Sequence, residues 1–288
     1  MDFTLKELEE KFKEENYICD RDILVPVYLS LKLKKPLLIT GAPGVGKTEI
    51  AKVLSKVLNT ELIRLQCYEG LDENKALYEW NYQKQLLHIQ SHRCHPEGEE
   101  DIFSREYLLE RPLLKAILKP HKVVLLIDEI DKTDAEFEAF LFEVLSDFQV
   151  SVPELGTIKA KEIPVVILTS NGERDLSDGL KRRCIFLHID FPSPEKEAEI
   201  VKRKVPGLGS ELTWQLVKNV AYLRTELALK KKPSISETLD WAEALLTLNA
   251  ERMTEHLVEE TINLLLKDKE DIDMFRERGG AREMMRKV

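Results

Sequence analysis

Gly41-Ala42-Pro43-Gly44-Val45-Gly46-Lys47-Thr48 is the stretch that decides the fold. It spells G-x-x-x-x-G-K-T between an apolar segment, Leu37-Leu38-Ile39, and an amphipathic run from Thr48 to Leu58. In that run Ile50, Val53, Leu54 and Val57 share one helical face. A strand, a glycine loop and a helix in that order let backbone N–H groups turn inward around a chain of phosphates. Lys47 supplies a point charge for the β- and γ-phosphates, and the Thr48 hydroxyl is a candidate magnesium ligand. The candidate nucleotide-binding set is therefore Gly41, Ala42, Pro43, Gly44, Val45, Gly46, Lys47, Thr48 and the adjoining Glu49. A ligand-free glycine turn is the plainer alternative, and the flanking strand and helix argue against it.

A phosphate loop needs an acidic partner, and Val123-Val124-Leu125-Leu126-Ile127-Asp128-Glu129 supplies one. Five apolar residues running into two carboxylates describe a buried parallel strand whose carboxyl end meets solvent. Ligands collect at that end of an open α/β sheet. Asp128 is expected to hold Mg2+ together with Thr48, and Glu129 to polarise the attacking water as general base.

Composition fits a nucleotide enzyme. The 288 residues can hold one large and one smaller domain, and the hydrophobic share of 43% is ordinary for a globular core. No apolar run approaches the roughly 20 residues of a membrane span, and the first residues carry no signal-peptide pattern. Cys19, Cys67, Cys94 and Cys184 form no C-x-x-C pair, which suits reduced thiols and a cytoplasmic location. The net charge of −9 speaks against nucleic acid or an anionic membrane as a general partner. The basic clusters at Lys32/Lys34/Lys35, Lys181-Arg182-Arg183 and Lys230-Lys231-Lys232 read as helix ends and solvated faces, a nucleic-acid track being the alternative.

Helices are expected over 4–16 and 21–33, a strand over 61–67, and a long, mostly helical stretch over 72–119. A helix over 134–147 leads to a hairpin over 148–161, with further strands at 164–171 and 184–190. Beyond Pro192 and Pro194 helical patterning takes over, around 195–204, 210–229, 236–249 and 254–266, and the tail from Lys267 with Gly279-Gly280 is expected to fray. The fold class is thus α/β: a parallel-sheet nucleotide domain over 1–192 and an α-helical lid over 193–288.

Two later features narrow the class. Asn171 closes the 164–171 strand, where an amide can hold water opposite a γ-phosphate; a turn-forming Asn before Gly172 is the alternative. Arg183, with Arg182 beside it, precedes the last strand, where an arginine can reach a nucleotide on a neighbouring subunit; plain surface charge is the alternative.

GAPGVGKT, LLIDEIDK, VILTSN and LKRRC followed by a helical lid resemble the AAA+ ATPases over most of the chain. QCYEGLDENKALYEWNYQKQLL, FQVSVPELGTIKA and KPSISETLDWAEAL resemble the MoxR branch and its CoxD-like members. That resemblance implies an ATP- and Mg2+-dependent chaperone forming a homo-oligomeric ring, usually a hexamer. It implies a von Willebrand factor A domain partner and a metalloenzyme client, such as a molybdenum-containing carbon monoxide dehydrogenase. By position it makes Asn171 the sensor 1 residue and Arg183 the arginine finger, with Arg182 able to substitute. It makes 72–119 the helix 2 insert and 148–163 the hairpin before sensor 1. The sensor 2 arginine of many relatives has no counterpart in Pro233-Ser234-Ile235-Ser236-Glu237; Lys232 and Arg224 are nearby, but neither matches by position.

The remaining signals are weaker. His88, His92, Cys94 and His95 have spacing compatible with zinc or copper, yet histidines on an exposed insert are commonplace. Trp80 and Tyr82 are expected to pack, a substrate-gripping loop on the insert being the alternative, and Trp214 and Trp241 on the lid helices read as core. ATP is expected rather than GTP, since no N-K-x-D sequence occurs. Against the remodelling ATPase stand two rivals. One is a nucleic-acid motor, because Arg183-Cys184 resembles the arginine-cysteine motif of clamp loaders. The other is a nucleotide-gated binding module with little turnover.

Overall fold

The computed structural model describes residues 3–92, 102–152 and 155–288. Two compact units result, one reaching from the N-terminal helices to His188 and one from Ile189 to Val288, the latter also taking in Asn16–Ile18 and Ala42–Gly46.

Helix α1 (Leu5–Glu14) starts on a reciprocal cap, in which the Thr4 hydroxyl accepts the Glu7 N–H and the Glu7 carboxylate accepts the Thr4 N–H. It buries Leu8 and Phe12, and α2 (Arg21–Leu33) follows. Strand β1 (Leu37–Gly41) leads through the glycine loop into α3 (Lys47–Val57), and β2 (Leu62–Gln66) comes next. The stretch expected to be mostly helical instead alternates: α4 (Glu73–Ala76), β3 (Tyr78–Trp80), α5 (Tyr82–His92), a 3-10 turn, β4 (Leu108–Glu110) and α6 (Pro112–Leu118). Strands β3 and β4 pair antiparallel, Trp80 opposite Leu108. Trp80 overrides the local helical pattern: its ring meets those of Phe103 and Tyr78 edge-on, at 5.4 and 6.1 Å, and is buried with Leu108. Tyr82 does not pack, being 62% exposed.

Strand β5 (Val124–Asp128) and helix α7 (Ala135–Asp147) come next, then the hairpin β6 (Gln149–Val152) and β7 (Gly156–Lys159). Strand β8 (Val165–Ser170), a short helix α8 (Asp178–Arg183) that the sequence pattern did not announce, and β9 (Ile185–Ile189) complete the sheet. The order is β2-β5-β8-β1-β9, a parallel sheet with helices around it. Every residue of β5 and β8 is buried, which is why both read as continuous Val/Leu/Ile runs rather than as alternations. Helix α3 packs on β1, β2, β5 and β8 through its apolar face, and α6 packs on β2 and β5. The Cys67 thiol, at the end of β2, is pushed up to about 12 by burial and by the neighbouring carboxylates of Asp128, Asp131 and Glu129.

The second unit is all helix: α9 (Pro194–Lys204), α10 (Ser210–Glu226), α11 (Ile235–Thr247), α12 (Glu255–Thr261), α13 (Lys269–Glu277) and α14 (Gly280–Lys287). Trp241 is fully buried and donates its indole N–H to the Thr261 hydroxyl at 2.8 Å. Trp214, expected in the core, is 37% exposed. The tail does not fray. Phe275, Ala281 and Met284 enter the core. The Asp271 carboxylate accepts the backbone N–H groups of Lys230 and Lys231 at 2.9 and 3.1 Å. Gly279 and Gly280, with φ of 99° and 58°, make the sharp turn between α13 and α14 that any side chain would strain.

Phe275→Ala is expected to cost about 3–5 kcal/mol, the usual price of emptying a phenylalanine site in a packed core. Urea unfolding followed by far-UV circular dichroism measures it. An unchanged midpoint would mean that the last two helices contribute nothing.

Candidate nucleotide site

Strand order assembles the site. Because β8 lies between β1 and β5, the loops leaving the carboxyl ends of these three strands are neighbours. Lys47 follows β1, Asp128 and Glu129 end β5, and Asn171 follows β8. The Lys47 ammonium is buried and donates to the Gly41 carbonyl at 2.7 Å and to Asn171 Oδ1 at 2.8 Å. Burial pulls its pKa below the usual lysine value, against the opposing pull of Asp131, Asp128 and Glu129. The Thr48 hydroxyl donates to Asp128 Oδ1 at 3.1 Å. All five side chains of the predicted catalytic centre within one protomer thus stand at the carboxyl edge of the sheet, four of them joined in two pairs by direct hydrogen bonds, Lys47 to Asn171 and Thr48 to Asp128.

Glu129 has left-handed backbone angles, φ 60° and ψ 50°, which a glutamate adopts only when its surroundings impose them. Its N–H donates to the Thr169 hydroxyl at 2.9 Å, and that hydroxyl donates in turn to Asp128 Oδ1. The Glu129 carboxylate accepts from Gln66 Nε2 at 2.9 Å and pairs with Lys132 at 2.8 Å. Asp131, also buried, accepts the N–H groups of Asn171 and Glu173, both at 3.0 Å, and so fixes the turn after β8.

Arg64, Gln66, Asp131 and Thr169 belong to this network and were not singled out by sequence reasoning. Register was the missing signal: Gln66 lies opposite Asp128, and Leu168 opposite Ile127 puts Thr169 in the same row. Arg182 and Arg183 stand on α8, apart from the cluster, both exposed. The Arg183 guanidinium stacks 3.3 Å above the Phe142 ring, which fixes its direction without burying it. Glu49 lies in the first turn of α3 and forms a surface pair with Lys52 at 3.4 Å. Within the second unit the glycine loop needs Gly44 as glycine, since a Cβ there would fall 2.1 Å from the Ser234 hydroxyl oxygen, at φ 74°.

Residues 36–184, half of the chain, match the AAA domain of the dynein-related subfamily. The chain belongs to this family. Two uncharacterized Staphylococcus aureus proteins, from strains USA300 and bovine RF122, are each 29% identical over 245 residues, covering 82% of this chain and 85% of theirs. A Thermotoga maritima RuvB variant superposes with a TM-score of 0.51 at 18% identity, over 95% of this chain and 73% of that one. The T. maritima RuvB Holliday junction branch migration motor gives 0.50 at 19% identity, over 94% and 73%. These likenesses establish the AAA+ fold of the sheet and the helical C-terminal region.

Arg224, one of the two cations near the start of α11, is committed elsewhere in this AAA protein. It is 7% exposed and forms a two-pronged ion pair with Glu197 at 2.6 and 2.8 Å, donates to the Pro233 carbonyl and stacks on Phe191. Lys232 is exposed. Of the histidine–cysteine group, the His88 ring meets Tyr107 edge-on at 5.6 Å, while Cys94 and His95 and the side chain of His92 lie outside the described residues.

Arg224→Leu is expected to cost about 3–5 kcal/mol by leaving the Glu197 carboxylate buried and unpaired. Thermal unfolding reads the loss. A stable variant with weakened nucleotide binding would instead place Arg224 at the phosphates.

Proposed function

We propose that this chain is a Mg2+-dependent ATPase that works as a ring and remodels a client protein, as MoxR-type chaperones are described to do. The observation that carries the reading is the convergence of Lys47, Thr48, Asp128, Glu129 and Asn171 at the ends of three adjacent strands. The Thr48 hydroxyl and the Asp128 carboxylate are hard oxygen donors brought together at a buried edge, and they fit Mg2+. These two residues would hold the ion, which when bound neutralises phosphate charge.

Lys47 is desolvated and already held at the carboxyl end of β1, so it can exchange the Gly41 carbonyl and Asn171 for phosphate oxygens at little cost in order. Asn171, freed from Lys47, keeps its backbone anchored by Asp131 and can orient a water. Glu129, aimed by its left-handed backbone, accepts that water's proton. Arg183 has no place in this cluster of its own protomer. A role at a neighbour's nucleotide, with Phe142 holding its guanidinium and Arg182 as substitute, accounts for it. Rings are usual in the AAA+ class, and a hexamer with a von Willebrand factor A domain partner and a metalloenzyme client follows from the MoxR-like and CoxD-like strings alone.

A nucleotide-gated binder with little turnover is the second reading, favoured by the commitment of Arg224 to Glu197. RuvB is a branch-migration motor, but the net charge of −9 here counts against a DNA track.

Glu129→Gln should bind ATP as tightly as the wild type while turnover falls by about 10²–10⁴-fold. Phosphate release measured across a protein-concentration series, with DNA and without, checks this. Undiminished turnover removes Glu129 as the base; a rate per subunit independent of concentration removes Arg183; salt-sensitive stimulation by DNA supports the motor.

A further inference from the structure

Asp128 already has a cation. Its Oδ2 accepts from Arg64 Nε at 3.0 Å and from an Arg64 terminal nitrogen at 2.5 Å, while its Oδ1 accepts the hydroxyls of Thr48 and Thr169 at 3.1 and 2.5 Å. Four donors fill the roughly four lone-pair sites of a carboxylate. Asp128 is 3% exposed, whereas the Arg64 side chain is 52% exposed on the open face of β2. The buried partner is fixed and the exposed one can leave. The same guanidinium donates to Gln66 Oε1. With its oxygen toward Arg64, the Gln66 amide donates through its NH2 to Glu129 Oε2 at 2.9 Å and to the Cys67 carbonyl at 3.4 Å. A continuous chain of donors and acceptors therefore runs Asp128–Arg64–Gln66–Glu129.

We propose that Arg64 is a resident counter-cation that a divalent ion must displace from Asp128, and that its departure loosens Gln66 from Glu129. Arg64 is a positioning residue in this scheme: it touches no reacting atom. With Arg64 in place the base carboxylate is engaged by Gln66 and Lys132. A divalent ion would compete for Asp128, the guanidinium would swing to solvent, and the Gln66 amide would lose one of the partners that orient it, keeping the Cys67 carbonyl. Metal loading and the loosening of one of the two partners of the base then become one event, Lys132 remaining. The inference rests on the nucleotide–Mg2+ reading above.

The test is Mg2+ titration of fluorescent ATP-analogue binding to the full chain, starting in EDTA. Removing one unit charge a few ångströms from a divalent site is worth about tenfold in water-like dielectric. Arg64→Gln should therefore lower the Mg2+ midpoint about tenfold. Arg64→Lys, which keeps the charge but loses the planar fork, should fall between the two. An Arg64→Gln midpoint equal to or above the wild type overturns the proposal. Equal loss of analogue affinity with and without Mg2+ also overturns it, because Arg64 would then be a phosphate ligand. If the wild type binds no analogue at any Mg2+ concentration, the nucleotide reading falls and takes this inference with it.

Discussion

Burial of β5 and β8 on both faces is the constraint from which the rest follows. A parallel strand with no solvent face can carry polar side chains only at its ends, so chemistry is pushed to the strand termini. Placing β8 between β1 and β5 then makes three such termini adjacent. Lys47 and Asn171 are 124 residues apart in the chain, with the acidic pair between them, yet the sheet leaves them nowhere else to be. Interactions within the site are secondary to this arrangement: Lys47 reaches Asn171 because their strands are hydrogen-bonded neighbours.

What was legible in the sequence follows the same logic. The phosphate loop and the strand ending in Asp128-Glu129 announce themselves, because each is a local pattern with its own chemistry. Arg64 and Gln66 did not, since an edge strand with charged or amide residues on every second position looks like any half-solvated strand. Only pairing partners reveal that this polar face looks onto the carboxylates. Thr169 was hidden for the opposite reason: one hydroxyl in a buried apolar run reads as tolerated, not as a bridge between two acids.

Outside the site, the misreadings have long-range causes. Gly279-Gly280 looks like a fraying signal, and becomes a turn because Phe275 and Met284 on either side find a core to enter. The pairing of β3 with β4 joins residues about thirty apart, which no local periodicity can report. In both cases apolar burial between distant segments outweighs propensity.

The left-handed backbone at Glu129 bears on how this chain can change over time. A glutamate held at φ 60° stores strain, of order 1 kcal/mol, that glycine would not. A population selected for thermal robustness alone would drift toward glycine or asparagine at that position, gaining heat tolerance and shedding the carboxylate. A glutamate there is what a history of selection for something other than stability leaves behind.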